Sequence, residues 1–191
     1  MGAGGKIPAL ETERLILRPF DLADAPAVEA MAGDREVAAM TLNIPHPYPA
    51  GGAARWIGTH AAAAASGEQF TFTVTRKPDG ALLGAIGIGV EARHRRAELG
   101  YWLGRPYWGR GYMTEAARRV VAFGLADLGL NRIQALCFPR NVASARVMQK
   151  AGLRYEGTFR EYVRKGDAFE DLAIYALCRS TNDEVRCTSA T

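Results

Sequence analysis

Apolar residues along this chain keep two different spacings, and the points where one gives way to the other mark out its elements. Leu15, Leu17 and Phe20 alternate with Ile16, Arg18 and Pro19, which predicts a first strand over 14–18 that Pro19 stops. With Asp24 as N-cap, Pro26 falls in the first turn of a helix, where its missing N–H is harmless. Val28, Met31 and Ala32 then form the buried stripe. Pro45, Pro47 and Pro49 stand at alternate positions and predict an extended link. A second helix follows over 53–64, with Trp56, Ile57 and His60 on one side.

The strand-like pattern returns over 70–74, then a Lys77-Pro78-Asp79-Gly80 turn leads into a strand over 82–90. Gly84, Gly87 and Gly89 let a neighbouring backbone or a ligand come close to that strand. Another strand is predicted over 98–103. Helical spacing resumes over 112–128 through Met113, Ala116, Ala117, Val120, Val121 and Leu128, and Gly129 ends it. A strand over 133–138 and a helix over 141–151 closed by Gly152 come next. Strands over 158–164 and 169–177 flank a Lys165-Gly166-Asp167 turn. Residues 1–9 are glycine-rich and predicted to be disordered, and 180–191 form a polar, aperiodic tail. Between them, 10–179 make a single domain.

The order β-α-α-β-β-β-α-β-α-β-β does not alternate as a doubly wound sheet requires. It predicts an α/β (α+β) fold with a central mixed sheet of about seven strands and helices on both faces. Hydrophobic residues at 48% and charged residues at 23% suit a soluble domain. The longest apolar run, 81–90, is broken by three glycines and falls short of the ~20 residues a bilayer span needs. The opening MGAGGK has no secretory apolar region, and Lys6 fails the myristoylation pattern. Cys137, Cys178 and Cys187 are an odd number without metal spacing, which predicts reduced thiols and a cytoplasmic protein with no bound metal. A net charge of +4 could serve nucleic acid or an anionic cofactor. The arginines are spread along the chain and no nucleic-acid motif is present, so no direct nucleic-acid contact is predicted, and no membrane contact either.

One stretch, 98–113, combines a strand, a Gly104-Arg105-Pro106 turn and a Gly109-Arg110-Gly111 loop opening a helix. Free backbone N–H groups at a positive dipole end suit a phosphate-bearing ligand. Further on, Asn141 and Ser144 lie three apart at a helix start. They read either as an N-cap with an early-turn serine or as a polar pair beside a site. Ser144 continues the line of Val147, Met148 and Ala151, so its hydroxyl faces the buried side and needs a partner.

Three stretches in order resemble the GNAT (GCN5-related) N-acetyltransferase superfamily, in particular its ribosomal-protein N-terminal acetyltransferase branch. They are ETERLILRPFDLADA at 11–25, GYWLGRPYWGRGYMTEA at 100–116, and NVASARV with QKAGLRYEG at 141–157. The resemblance implies acetyl-CoA as co-substrate, bound in a cleft between the strands at 98–103 and 133–138. It implies that backbone groups of Trp102 and Leu103 hold the pantetheine arm. The N–H groups of Arg110, Gly111, Tyr112 and Met113 would take the pyrophosphate, with Gly109 and Gly111 allowing close approach. By the same resemblance Asn141 holds the arm or a water, and Ser144 protonates the departing thiolate. Glu98 stands where some relatives keep a general base; its other reading is a salt bridge to Arg95 or Arg96. The branch has a glutamate near Val163, whereas the nearest acid here is Glu161, and Pro106 replaces the polar residue that opens the wider superfamily's loop. Tyr48 and Trp56 fall on the acceptor side, while His46 between prolines reads as structural. The implied reaction is direct acetyl transfer to an amine, first of all a protein N-terminal α-amine, with a homodimer possible by analogy. A small-molecule acceptor (an aminoglycoside, polyamine or amino acid) is the alternative, and a non-catalytic acetyl-CoA binder the third reading.

Overall fold

The computed structural model describes residues 6–179. Eight strands form one sheet: β1 (Leu10–Glu11), β2 (Leu15–Arg18), β3 (Gln69–Arg76), β4 (Leu82–Glu91), β5 (Arg96–Leu103), β6 (Arg132–Cys137), β7 (Arg154–Lys165) and β8 (Ala168–Cys178). They lie in the order β1-β2-β3-β4-β5-β6-β8-β7, and only β5 and β6 run parallel. The mixed sheet agrees with the sequence expectation. The additional strand is β1, two residues long and too short to show a period.

Four helices rather than two precede β3: α1 (Ala25–Ala32), α2 (Arg35–Ala39), α3 (Gly52–Gly58) and α4 (His60–Ala65). α1 starts after Asp24 with Pro26 in its first turn, as expected. The Asp24 carboxylate does not cap it, because it is held by both Arg18 guanidinium nitrogens at 2.8 Å and by Asp21 N. α2 escapes sequence reading since five residues cannot display a helical period; Asp34 Oδ1 nucleates it by accepting from Glu36 N and Val37 N. The helix expected over 53–64 breaks at Thr59, whose N–H and hydroxyl both turn back to Trp56 O. α5 (Tyr112–Ala126) and α6 (Val142–Lys150) follow β5 and β6.

The main core lies between one sheet face and α5. Leu15, Leu17, Phe72, Ile86, Ile88 and Ile133 are fully buried there against Ala116, Ala117 and Val120. Each large side chain so buried contributes about 1.5–3 kcal/mol. The helix comes close because Gly124 carries no side chain; a Cβ there would stand 2.7 Å from Ile133 Cδ1. On the opposite face α1 and α3 enclose Ala85 and Trp102. Leu99 and Trp102 therefore leave β5 on opposite sides. His60 of α4 is buried with neither ring nitrogen hydrogen-bonded among the described residues. Phe20 and Trp56 meet it edge-on, and burial lowers its pKa to about 4, so the ring is neutral. No helix among the described residues is long and apolar enough to cross a membrane.

Candidate active site

β5 and β6 are paired only at Arg96–Arg132, Ala97–Ile133 and Glu98–Gln134. Beyond that point they part. β5 follows β4 to Leu103, and β6 follows β8 to Cys137. The wedge between them opens into a cavity of about 1990 Å³. β5 is held to β4 at the wide end by a close approach. A Cβ on Gly84 would stand 2.3 Å from Trp102 O, and Gly104 N donates to Leu83 O at 2.8 Å.

After β5 the chain makes a short turn at Arg105–Tyr107, pinned by an Arg105–Glu36 ion pair and by Arg105 stacking on Trp108. The Trp108 indole donates to Leu103 O at 2.6 Å. Gly109 and Gly111 then take φ of 74° and 78°, the left-handed region where a side chain is strained. The consequence is a row of unpaired donors. The N–H groups from Gly109 to Thr114 find no acceptor among the described residues, and they open the fifteen-residue α5 at its positive end. A network that sequence reading missed fixes the loop from below. Glu115 accepts from Thr12 Oγ1, Arg14 N and Arg14 Nε, and Arg14 also donates to Arg110 O and stacks on Tyr112. Burial pushes the Glu115 carboxyl up, but those bonds and the Arg14 charge outweigh it and hold its pKa below the usual range. Its signal in the sequence was faint, since Thr12 and Arg14 lie a hundred residues from Glu115.

At the far side of the wedge Asn141 caps α6, its Oδ1 accepting from Ser144 N at 3.0 Å. Its amide nitrogen donates to Met40 O at 3.2 Å, so both ends of this side chain are engaged within the protein. Ser144 Oγ lies 2.8 Å from Tyr101 OH, which is also 3.1 Å from Ser144 O. The partner expected for the serine hydroxyl is therefore a tyrosine on β5, spanning the gap between the parted strands. Burial raises the Tyr101 pKa despite the Ser144 bond, so the phenol stays protonated. Burial likewise raises that of the Cys137 thiol, against a hydrogen bond from Ser144. The alternation of β5 could have singled out Tyr101, which shares a face with Leu99.

The acceptor-side residues are more mixed. Glu98 lines the cavity, is exposed, and has no ion-pair partner among the described residues. The salt-bridge alternative is not seen: Arg96 pairs with Glu91, and Arg95 donates to Gly129 O. Val163 also lines the cavity, whereas Glu161 sits in a β7 bulge at φ 47° with its N–H on Asp171. Among the described residues, no carboxylate on β7 lines the cleft at the place of the one absent at Val163 other than Glu156, which Arg132 binds. Tyr48 and Trp56 both line the cavity, though Trp56 also packs on Phe20 and His60. His46 Nδ1 lies 3.1 Å from Gly33 O, in keeping with a structural part.

Comparison with known proteins agrees with this geometry. Residues 14–154 match the acetyltransferase (GNAT) domain. The chain is 34% identical over 173 residues to the uncharacterized N-acetyltransferase YoaA of Bacillus subtilis, covering 90% of this chain and 97% of that protein. A ribosomal-protein-serine acetyltransferase of Escherichia coli is 28% identical over 96 residues, 50% of this chain and 54% of its own. A GNAT-family acetyltransferase from Bacillus anthracis has a solved structure that superposes with a TM-score of 0.81 at 26% identity, over 91% of this chain and 99% of that one. With parted central strands, a glycine loop of free N–H groups and these relatives, the chain belongs to the GNAT family and is an acetyl-CoA-dependent N-acetyltransferase.

Proposed function

We propose that the protein transfers acetyl from acetyl-CoA to the N-terminal α-amine of a polypeptide. The observation that carries the choice of acceptor is the charge of the cleft. Six arginine or lysine side chains line it against two carboxylates, Glu98 and Glu156, and Glu156 is bound by Arg132. Polyamines and aminoglycosides carry several positive charges and need a strongly acidic pocket. A single amine at the end of a chain needs only one carboxylate. The ribosomal-protein acetyltransferase among the relatives points the same way. Offered a panel of amines with free thiol followed, the enzyme is expected to turn over peptides beginning with Ser or Ala faster than spermidine or an aminoglycoside. The reverse ranking overturns the reading.

Acetyl-CoA supplies the acetyl group as a reactive thioester. The free N–H groups of the 109–114 loop, with the dipole of α5 behind them, suit its pyrophosphate, and Arg110 adds charge. The parted edges of β5 at Trp102 and Leu103 suit the amide-bearing arm. Ser144 holds a proton at Oγ for the leaving thiolate, and Asn141 and Tyr101 fix that serine from both sides. Glu98 takes the proton of the incoming amine through water.

Two expected results follow from these roles. Gly111→Val forces a β-branched residue to φ near 78°, while its Cβ meets only Arg14 Nη2 at 3.5 Å. Acetyl-CoA affinity should fall several-fold or more with the fold intact, and an unchanged Kd in calorimetry removes the loop from the binding site. Glu98→Gln should lower kcat/KM most at low pH and less as the amine itself deprotonates. A pH–rate profile superposable on the parent's would leave Glu98 with no part in proton transfer.

A further inference from the structure

The segment joining α2 to α3 lines the cleft through Leu42, Ile44 and Tyr48. From Leu42 to Tyr48 it makes no backbone-to-backbone hydrogen bond among the described residues. Part of what fixes it comes from across the cleft. Lys165, at the end of β7, sends its ammonium to Ala38 O at 2.9 Å and to Thr41 O. Asn141 reaches Met40 O from the start of α6. Ala38 O, near the end of α2, also accepts from Thr41 N and Oγ1, and a cation at that negative helix end is favourable.

Lys165 is more than a surface lysine resting on the nearest oxygen. It is half-buried, and its ammonium lies 5.8 Å from the centre of the buried Phe138 ring. Arg140 stacks on that ring at 4.2 Å and is paired with Glu170. Burial and the Arg140 charge lower the Lys165 pKa, with Glu170 opposing them. An ammonium held against a neighbouring guanidinium persists where its hydrogen bonds outweigh the repulsion. Phe159, Tyr162 and Val163 of β7 line the same cleft as Leu42 and Ile44.

We propose that Lys165 is a positioning residue for the acceptor. It clasps the 40–48 segment to the β7–β8 hairpin and so sets the spacing of the two apolar lips between which the amine enters. The inference rests on the acceptor-side reading given above. Lysine 165 touches neither Ser144 nor the glycine loop, so its loss acts on the acceptor and leaves cofactor binding alone.

The test compares Lys165→Met and Lys165→Arg with the parent. Chymotrypsin cleavage after Leu42 should quicken by about tenfold in Lys165→Met, since two hydrogen bonds to a charged group are lost. KM for a Ser-first peptide should rise by a similar factor, roughly tenfold, with kcat and acetyl-CoA Kd within about twofold. Lys165→Arg, which can still donate to carbonyls, should recover most of both. An unchanged cleavage rate, an unchanged KM, or a fall in kcat with cofactor affinity overturns the proposal. Failure of the parent to acetylate any peptide sinks the acceptor reading by itself; the cleavage rate then decides the clasp, and parity between Lys165→Met and the parent overturns it.

Discussion

Gly84→Ala should lower the melting temperature by about 2–12 °C, more than its single methyl group suggests. The added Cβ would stand 2.3 Å from Trp102 O, 2.9 Å from Leu103 Cα and 3.1 Å from Trp102 C. All three are backbone atoms of a neighbouring strand, so no side chain can swing aside to make room. β4 and β5 must move apart where β5 forms the cleft wall. Overpacking typically costs ~1–3 kcal/mol, and in a domain of this size each kcal/mol shifts the midpoint by about 2–4 °C. Acetyl-CoA affinity should drop too, because the displaced edge carries Trp102 and Leu103. Gly100→Ala is the matched control, on β5 and lining the same cavity with nothing within 4 Å of its Cβ. Thermal unfolding of the two variants should separate them clearly; equal midpoints would mean the β4–β5 spacing is not fixed at Gly84.

Ser144→Ala should slow turnover by roughly 10²-fold while leaving acetyl-CoA affinity within a few-fold. Removing general-acid help costs ~10²–10⁴-fold, and a thiolate, with thiols ionising near ~8.5, is a good enough leaving group to put this case at the low end. A neutral hydrogen bond contributes only ~0.5–1.5 kcal/mol, which bounds the affinity change. Stability should hardly suffer. The Ser144 N–H keeps its bond to Asn141, and the Tyr101 hydroxyl still has Ser144 O at 3.1 Å to donate to. Tyr101→Phe offers a second reading of the same pair: it leaves Ser144 its proton but removes what fixes the hydroxyl, so kcat should fall less than in Ser144→Ala. Parent-level turnover in Ser144→Ala, with a lowered melting point, would reduce the serine to part of the helix cap.

The long elements were legible because their periods run long enough to be read. α5 keeps its apolar spacing through Met113, Ala116, Ala117, Val120 and Val121, all buried as expected. The glycine loop was legible because left-handed backbone leaves a mark in composition. The elements that stayed hidden are short, like α2, or are broken by a local bond, as where Thr59 turns back to Trp56. Pairings across the chain left no trace either. Glu115 with Thr12 and Arg14, Tyr101 with Ser144, and Lys165 with the end of α2 join residues that no sequence period relates. Asn141 shows the remaining difficulty. Its two readings, cap and cofactor contact, called for the same residue at the same place, and only the bond to Met40 shows how fully its amide is committed.

The parting of β5 from β6 has a thermodynamic side. A sheet ordinarily closes every edge it buries, yet here two strands share three residue pairs and then face each other across a gap. Backbone that a ninth partner could satisfy faces the cleft in the middle of the fold. Whatever lies along those edges binds the folded chain and not the unfolded one, so it adds to stability by mass action, about 2.7 kcal/mol at a hundred times its dissociation constant. With acetyl-CoA lying there, as proposed above, the co-substrate would act as a removable strand, and the enzyme's resistance to heat should rise and fall with the supply of what it consumes.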